Sequence, residues 1–414
     1  MSLSFVGRDD ISYNGLSTII PLHFPSEINM IYLLIEFMDE LVFGVGEAAW
    51  PLIRNDLHLN YIQIGLALSL PGFLANFIEP FLFILGDVWK RRILIIMGGL
   101  FFTISLLLSG LSHSFLFLLA SFILFNPSSG AFVSLSQANL MDSDPKRREN
   151  NMARWTFAGS AGVVLGPLLL AGASWIGFGW RGMFLGLALF STLIVLLAAR
   201  RIPDDPFHLN SLPHFGAIIK QFRLTFSALR DWTVVRWLVL LEFSDLMLDI
   251  LYGFLPLYLV DVAGFTPAQA ALSVAVWTGV GLLGDFLLIP LVERVKGLDY
   301  LRVSVVIELI LFPVFLIFSI SWLKLVVLGL MGFFNAGWYA ILKANLFESM
   351  QGRSGAAQAL DNVSGLIGKL IPFGIGVAAQ ALGLASAMWL LLAGPIALLI
   401  GLPRRVEWIS DDAL

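Results

Sequence analysis

Long apolar runs dominate the chain, each broken by a short polar stretch holding Gly, Pro, Asp or a cluster of basic residues. Runs of about 20 apolar residues are long enough to cross the hydrocarbon core of a bilayer as helices. The pattern predicts twelve spans, numbered here in chain order: 29–53, 61–85, 92–112, 115–140, 154–176, 180–199, 234–260, 268–292, 302–321, 323–346, 358–382 and 384–402. One interval is longer than the others. Residues 200–233 open with Arg200 and Arg201, carry three prolines, and then place Ile218, Ile219, Phe222, Phe226 and Leu229 at helical spacing with Lys220, Arg223 and Arg230 between them. That alternation predicts a cytoplasmic linker with an interfacial helix. The layout expected is a tail (1–28), a six-helix bundle (29–199), the linker (200–233), a second six-helix bundle (234–403) and a short tail (404–414).

Composition narrows the class. Hydrophobic residues make up 58% of the 414 and charged residues 13%, against about 25% charged in a soluble domain. The fold class expected is an all-α integral membrane protein. A net charge of -4 with no basic domain gives no reason to expect nucleic acid as a partner. With no cysteine, and with His23, His58, His113, His208 and His214 all outside the spans, no metal site is expected. No phosphate-binding glycine loop and no nucleophile–base constellation stands out, so neither ATP-driven work nor enzymatic chemistry is expected. Residues 1–28 lack the apolar core of a signal peptide, and the first span is expected to serve as its own insertion signal.

The basic residues set the orientation. With the N-terminus inside, 20 of the 25 Lys and Arg fall on the cytoplasmic side, three (Arg54, Arg181 and Lys324) fall outside, and Lys343 and Lys369 lie within spans. Both termini are therefore expected in the cytoplasm of a cell that carries the protein in its plasma (bacterial inner) membrane.

The two halves repeat at an offset of 206 residues. Glu36-Phe37-x-Asp39 becomes Glu242-Phe243-x-Asp245. Gln63 maps to Gln269, Glu79 to Asp285, Asp87 to Glu293, Asp142 to Glu348, Gly159 to Gly365 and Gly162 to Gly368. One offset held through loops as well as spans predicts a parallel duplication about an axis along the membrane normal.

The repeat gives meaning to the most expensive stretch. Span 1 carries Glu36, Asp39, Glu40 and Glu47. An ionised carboxylate facing lipid costs roughly 2.5–3.5 kcal/mol, so four would cost on the order of 10 kcal/mol. They must face protein or water. Residues 36, 40 and 47 share one helical stripe, and Glu242, Asp245 and Asp249 form another in span 7. Glu36 and Asp39 rank above Glu40 and Glu47 because their repeat mates are also acidic. Glu79 and Asp285 form a second related pair, and Pro80 is expected to bend or interrupt span 2 beside it. Glu308 in span 9 has no account from sequence.

Twelve spans, a long central loop and a parallel repeat resemble the major facilitator superfamily. Two motifs carry the resemblance further. Leu85-Gly86-Asp87-Val88-Trp89-Lys90-Arg91-Arg92 resembles the family's loop 2–3 motif, matching at Leu85, Asp87, Arg91 and Arg92, with Phe83, Val88 and Lys90 where Gly, Arg and Gly are usual. Gly162-x-x-x-Gly166-Pro167 resembles the core of its antiporter motif in span 5, where it bends the helix; the flanking glycines are replaced by Ala153 and Leu170-Ala171. The resemblance implies that spans 1, 4, 7 and 10 line a central cavity, with the two acid stripes facing across it. Phe37, Phe43, Trp50, Phe243, Tyr252, Trp338 and Tyr339 would join them. It also implies a cytoplasmic gate of Asp87, Arg91, Arg92 and Asp142, echoed by Glu293 and Glu348. Carboxylates crowded in low dielectric can take up and release protons as the cavity alternates between faces. The reading that follows is a secondary transporter, a monomer driven by a proton or sodium gradient with no cofactor. It would export a small cationic or amphiphilic solute by proton antiport. An ion-coupled importer of a sugar or organic nutrient, and a non-transporting sensor or lipid scramblase, are the alternatives.

Overall fold

The computed structural model describes residues 27–88, 90–143, 148–203, 228–292, 294–350, 360 and 364–403. The linker helix, both tails and Glu293 lie outside these residues, as do the side chains of Asp87 and Asp142. All regular structure among the described residues is helical. Among the described residues, ten helices are long and apolar enough to cross a membrane. They match ten of the twelve expected spans. The other two, Glu27–Ala48 (span 1) and the segmented Trp232–Asp245, Leu246–Ile250 and Leu251–Asp261 (span 7), are those that carry the acid stripes.

The helices pack around a largely hydrophobic core with a few buried polar groups, and large apolar side chains also cover the outside. Phe81, Leu116, Ile176, Ile367 and Ile400 project from the surface. For a soluble protein this would be an aggregation hazard; for a bilayer protein it is the lipid contact. Span 1 packs along span 5 (Arg148–Trp175), and span 3 (Arg91–Gly110) packs on span 4 and on span 6 (Trp180–Arg201). The halves meet where span 2 (Tyr61–Val88) lies on span 11 (Ser364–Leu382), and where span 5 lies on span 8 (Pro267–Val292).

The repeat reaches down to the helix caps. Asn60 and Gln63 cap span 2 reciprocally, with the Asn60 amide donating to Gln63 Oε1 at 3.0 Å and the Gln63 amide donating to Asn60 Oδ1 at 2.9 Å. Thr266 and Gln269, each 206 residues on, do the same for span 8 at 2.9 and 3.2 Å. The repeated glutamines are therefore helix-capping groups. Positive φ recurs too, at His58 and Gly264 and at Gly177 and Gly383.

The fourth span of each half is irregular at the same level. Span 4 runs as Phe115–Ser129, a π-helical turn Gly130–Ser134, and Leu135–Ser143, with Pro127 just before the turn. Span 10 breaks outright between Ser321–Asn335 and Trp338–Ser349, with Gly337 at φ 73°. By contrast, span 2 stays helical through Pro71 and Pro80, so of the bend or interruption expected at Pro80 the interruption does not occur.

Span 5 approaches span 1 backbone to backbone. A Cβ at Gly162 would lie 2.6 Å from the Phe37 carbonyl oxygen, and one at Gly166 would lie 2.7 Å from the Val45 amide nitrogen. Pro167 also faces span 1, at Gly44. Backbone cannot move aside as a side chain can, and overpacking costs about 1–3 kcal/mol even where neighbours adjust. Gly166→Leu is expected to abolish recovery of monodisperse protein, whereas Gly172→Ala, with nothing within 4 Å, should match the wild type. Size-exclusion chromatography and a thermal melt of the detergent-purified proteins check both.

Candidate functional site

A cavity of about 230 Å³ lies between the halves. Span 1 contributes Phe43 and Glu47, and Trp50 follows directly after it; span 4 contributes Phe122, Phe125 and Asn126. Span 7 contributes Glu242, Asp245 and Asp249, and span 11 contributes Gly365, Gly368 and Lys369. Pro71 and Gly72 of span 2 complete one wall. Most of the wall comes from spans 1, 2, 4, 7 and 11, with Ser109 of span 3 and Phe184 of span 6 added. Trp338 in span 10 is instead buried, its Nε1 donating to Ser304 Oγ at 2.9 Å.

The acids divide by position. The three span 7 acids all line the cavity. Glu242 fits because position 368 is glycine: a Cβ there would overlap its carboxylate. In the first half the corresponding helix pair holds Glu36, Asp39 and Glu40 away from the cavity. Glu36 is buried against span 5, where a Cβ at Gly159 would lie 2.7 Å from its Oε1, and it lies beside Trp155. Glu40 packs on Gly159 and Gly162, within range of the Asp249 charge. Asp39 turns to span 4 and accepts a hydrogen bond from Ser129 Oγ at 2.8 Å. The span 1 acid on the cavity wall is Glu47, which accepts from Trp50 Nε1 at 3.2 Å.

Lys369 enters from span 11 into this acid field. Its stem lies along Gly72 of span 2, where a Cβ would be 3.2 Å from Cδ. Its charge reaches both Glu47 and Glu79. Glu79 sits against Gly130, at the π turn of span 4. Its repeat mate Asp285 accepts a hydrogen bond from the Gly337 amide at 2.9 Å, at the break in span 10. A carboxylate there meets the positive end of the helix Trp338–Ser349. Both second-span acids thus attend the irregular turn of the fourth span.

On the side read as outer, a polar lock joins the halves. Arg54 pairs with Asp261 at 2.9 Å, and Tyr61 Oη donates to the same carboxylate at 2.9 Å. The Tyr61 amide donates to Gln380 of span 11 at 3.2 Å, and the Arg54 guanidinium stacks 4.7 Å over the Tyr61 ring. Beneath it Phe43 and Tyr252 meet edge to face at 5.3 Å. Lys324, also assigned outside, is buried, its Nζ donating to the Phe315 carbonyl in the last turn of span 9 (Gly297–Ile317).

Of the gate expected on the cytoplasmic side, Arg91 donates to the Gly86 carbonyl at 3.2 Å and to Asn139 Oδ1 at 3.0 Å, while Asn139 Nδ2 donates to Tyr32 Oη at 3.4 Å. Arg92 donates to the Ala199 carbonyl at 2.7 Å, and Glu348 is exposed. No cluster of three or more metal-ligating side chains occurs among the described residues.

These features define a helical membrane protein with two duplicated halves and a polar cavity between them. The chain belongs to the major facilitator superfamily, whose family model matches residues 32–372. It is a transporter of that family rather than an enzyme. The fold is shared with a bacterial homologue of the human lysosomal transporter Spinster, solved inward-facing and unoccupied, at 19% identity and a TM-score of 0.67 over 91% of this chain and 93% of that one. It is also shared with the nucleoside transporter NupG, at 13% identity and a TM-score of 0.71 over 91% and 98%.

Proposed function

We propose that the protein is a proton-coupled antiporter that exports a small cationic or amphiphilic solute by alternating access. The observation that carries this reading is the convergence of Glu47, Glu242, Asp245 and Asp249 on one cavity between the halves, among aromatic side chains. Carboxylates attract a cation, and the faces of Phe43, Trp50, Phe122 and Phe125 suit an amphiphilic one. The closed lock at Arg54 and Asp261 fits a state in which the cavity communicates with the cytoplasm. A cation loaded there would leave outside, and protons taken up by the same carboxylates would return inward, so each group is neutralised in both directions.

The test uses inside-out vesicles with an imposed proton gradient. Adding a transported cation should dissipate the gradient. The Glu242→Gln/Asp245→Asn double variant should fold normally and reduce gradient-driven flux by at least about tenfold, the loss of about 1.4 kcal/mol of coupling. A broad cation panel that leaves the gradient intact would remove the cationic substrate. Full activity in the double variant would remove these two acids from the mechanism.

A further inference from the structure

Glu308 has no place in the cavity. It lies in span 9, fully buried, and neither carboxylate oxygen has a hydrogen-bond partner among the described residues. Its polar neighbour is Asn335, the last residue before span 10 breaks. Asn335 is itself buried; its Nδ2 donates to the Met247 carbonyl in the π turn of span 7 at 3.2 Å, but its Oδ1 has no donor. Three acceptor oxygens on two neighbouring buried side chains, Glu308 Oε1 and Oε2 and Asn335 Oδ1, thus receive no hydrogen bond of normal geometry, and the Asn335 amide nitrogen is committed to Met247. Leaving buried polar atoms unsatisfied costs about 1–3 kcal/mol each, and more for a charged group.

Packing does not require this arrangement. The residue 206 positions earlier is Phe102, which fills the same layer of the first half by packing on Phe125 and Phe132. Where one half has a phenyl ring, the other has a carboxyl group facing a broken helix. Irregular backbone inside a bilayer protein is tolerated where it is buried in protein or lines a water-filled cavity, and unwound segments are where transporters hold coupling ions.

We propose that Glu308 and Asn335 form a sodium site outside the cavity, at the hinge of span 10. Hard cations take oxygen ligands, and the orphaned atoms here are all oxygens. One carboxylate matches a single positive charge. The surrounding polar groups are already engaged: Asp285 holds the Gly337 amide, and Tyr300 Oη donates to the Ala336 carbonyl at 3.2 Å. A bound ion would tie span 9 to the end of the outer segment of span 10, and through Asn335 to span 7. It would therefore stabilise one arrangement of the hinge.

The test is a thermal melt of the purified full chain in NaCl against choline chloride at equal ionic strength. Sodium should raise the midpoint saturably by several degrees, because an ion that binds only the folded state stabilises it by mass action. Glu308→Gln, which keeps the shape, should abolish the rise, and Asn335→Asp should move half-saturation to lower sodium. Asp249→Asn, in the cavity, should leave the rise intact. The proposal is overturned if the wild type shows no sodium-dependent rise, or if the rise persists in Glu308→Gln. It is equally overturned if Asp249→Asn removes the rise, since the ion then binds in the cavity. The readout is independent of transport, so it stands or falls separately from the antiport reading.

Discussion

Replacing Lys369 with methionine is expected to suppress turnover while tightening the binding of cationic cargo. Lys369 projects into a cavity whose other charged wall groups are Glu47, Glu242, Asp245 and Asp249. Its own charge is the counter-ion for Glu47 and Glu79. On the proposed reading, a cation that enters would compete with this tethered ammonium, and one that leaves would be helped out by it. At an effective dielectric near 20, a unit charge roughly 8 Å away is worth about 2 kcal/mol, or a factor of about 30 in an equilibrium. Without Lys369 the carboxylates hold their cation more tightly, and release becomes the slow step.

The measurement separates the two effects. Equilibrium binding of a transported cation to Lys369→Met should strengthen by about tenfold or more, and steady-state flux should fall by a similar factor. Lys369→Arg keeps the charge on a longer, planar head and should recover only part of the flux. Wild-type flux together with wild-type binding in Lys369→Met would show that the ammonium is a spectator. A loss of binding would show that it contacts an anionic part of the cargo.

The fold was legible because it is periodic. Spans announce themselves by length and hydropathy, and the 206-residue offset survives in capping pairs such as Asn60–Gln63 and Thr266–Gln269. The site was less legible, and the reason is geometric. Ranking acids by whether their repeat mates are acidic favoured Glu36 and Asp39, yet these pack within their own half, against Gly159 and Ser129. Near a pseudo-two-fold axis a side chain meets its own mate, so symmetry there favours complements over copies. Glu47 illustrates this. Its mate is Gly253, and a Cβ at Gly253 would lie 3.2 Å from Glu47 Oε2. The glycine leaves space for the acid, so a missing acidic mate was a signal in its favour. The break in span 10 was hidden differently. Asn335-Ala336-Gly337 lies in a continuous apolar run, and only the left-handed turn at Gly337 exposes it.

The same rule identifies the outer lock, whose reversal carries the second large effect. Arg54 maps by the 206 offset to Val260, next to Asp261, so opposite charges stand at nearly equivalent positions on the axis and meet at 2.9 Å. The pair is partly exposed, at 26% and 16%, and an isolated exposed pair contributes only about 0.2–1 kcal/mol. Tyr61 raises the stake by bonding the same carboxylate and stacking under the guanidinium. Arg54→Glu replaces this attraction with repulsion between two acids, so a bias of about 1–2 kcal/mol toward the outward-open state is expected, or about 5- to 30-fold in its population. The chain has no cysteine, so a single reporter can be read without background. Phe43→Cys lies on the cavity wall beneath the lock. Labelling of that thiol by a membrane-impermeant reagent from outside should be slow with the native lock and several-fold faster with Arg54→Glu. The swapped pair Arg54→Glu/Asp261→Arg should slow it again. Failure of the swap to restore protection would mean that Arg54 holds the outer face through Tyr61 rather than through its charge on Asp261. Unchanged labelling in Arg54→Glu would mean that the apolar layer of Phe43 and Tyr252 closes the cavity by itself.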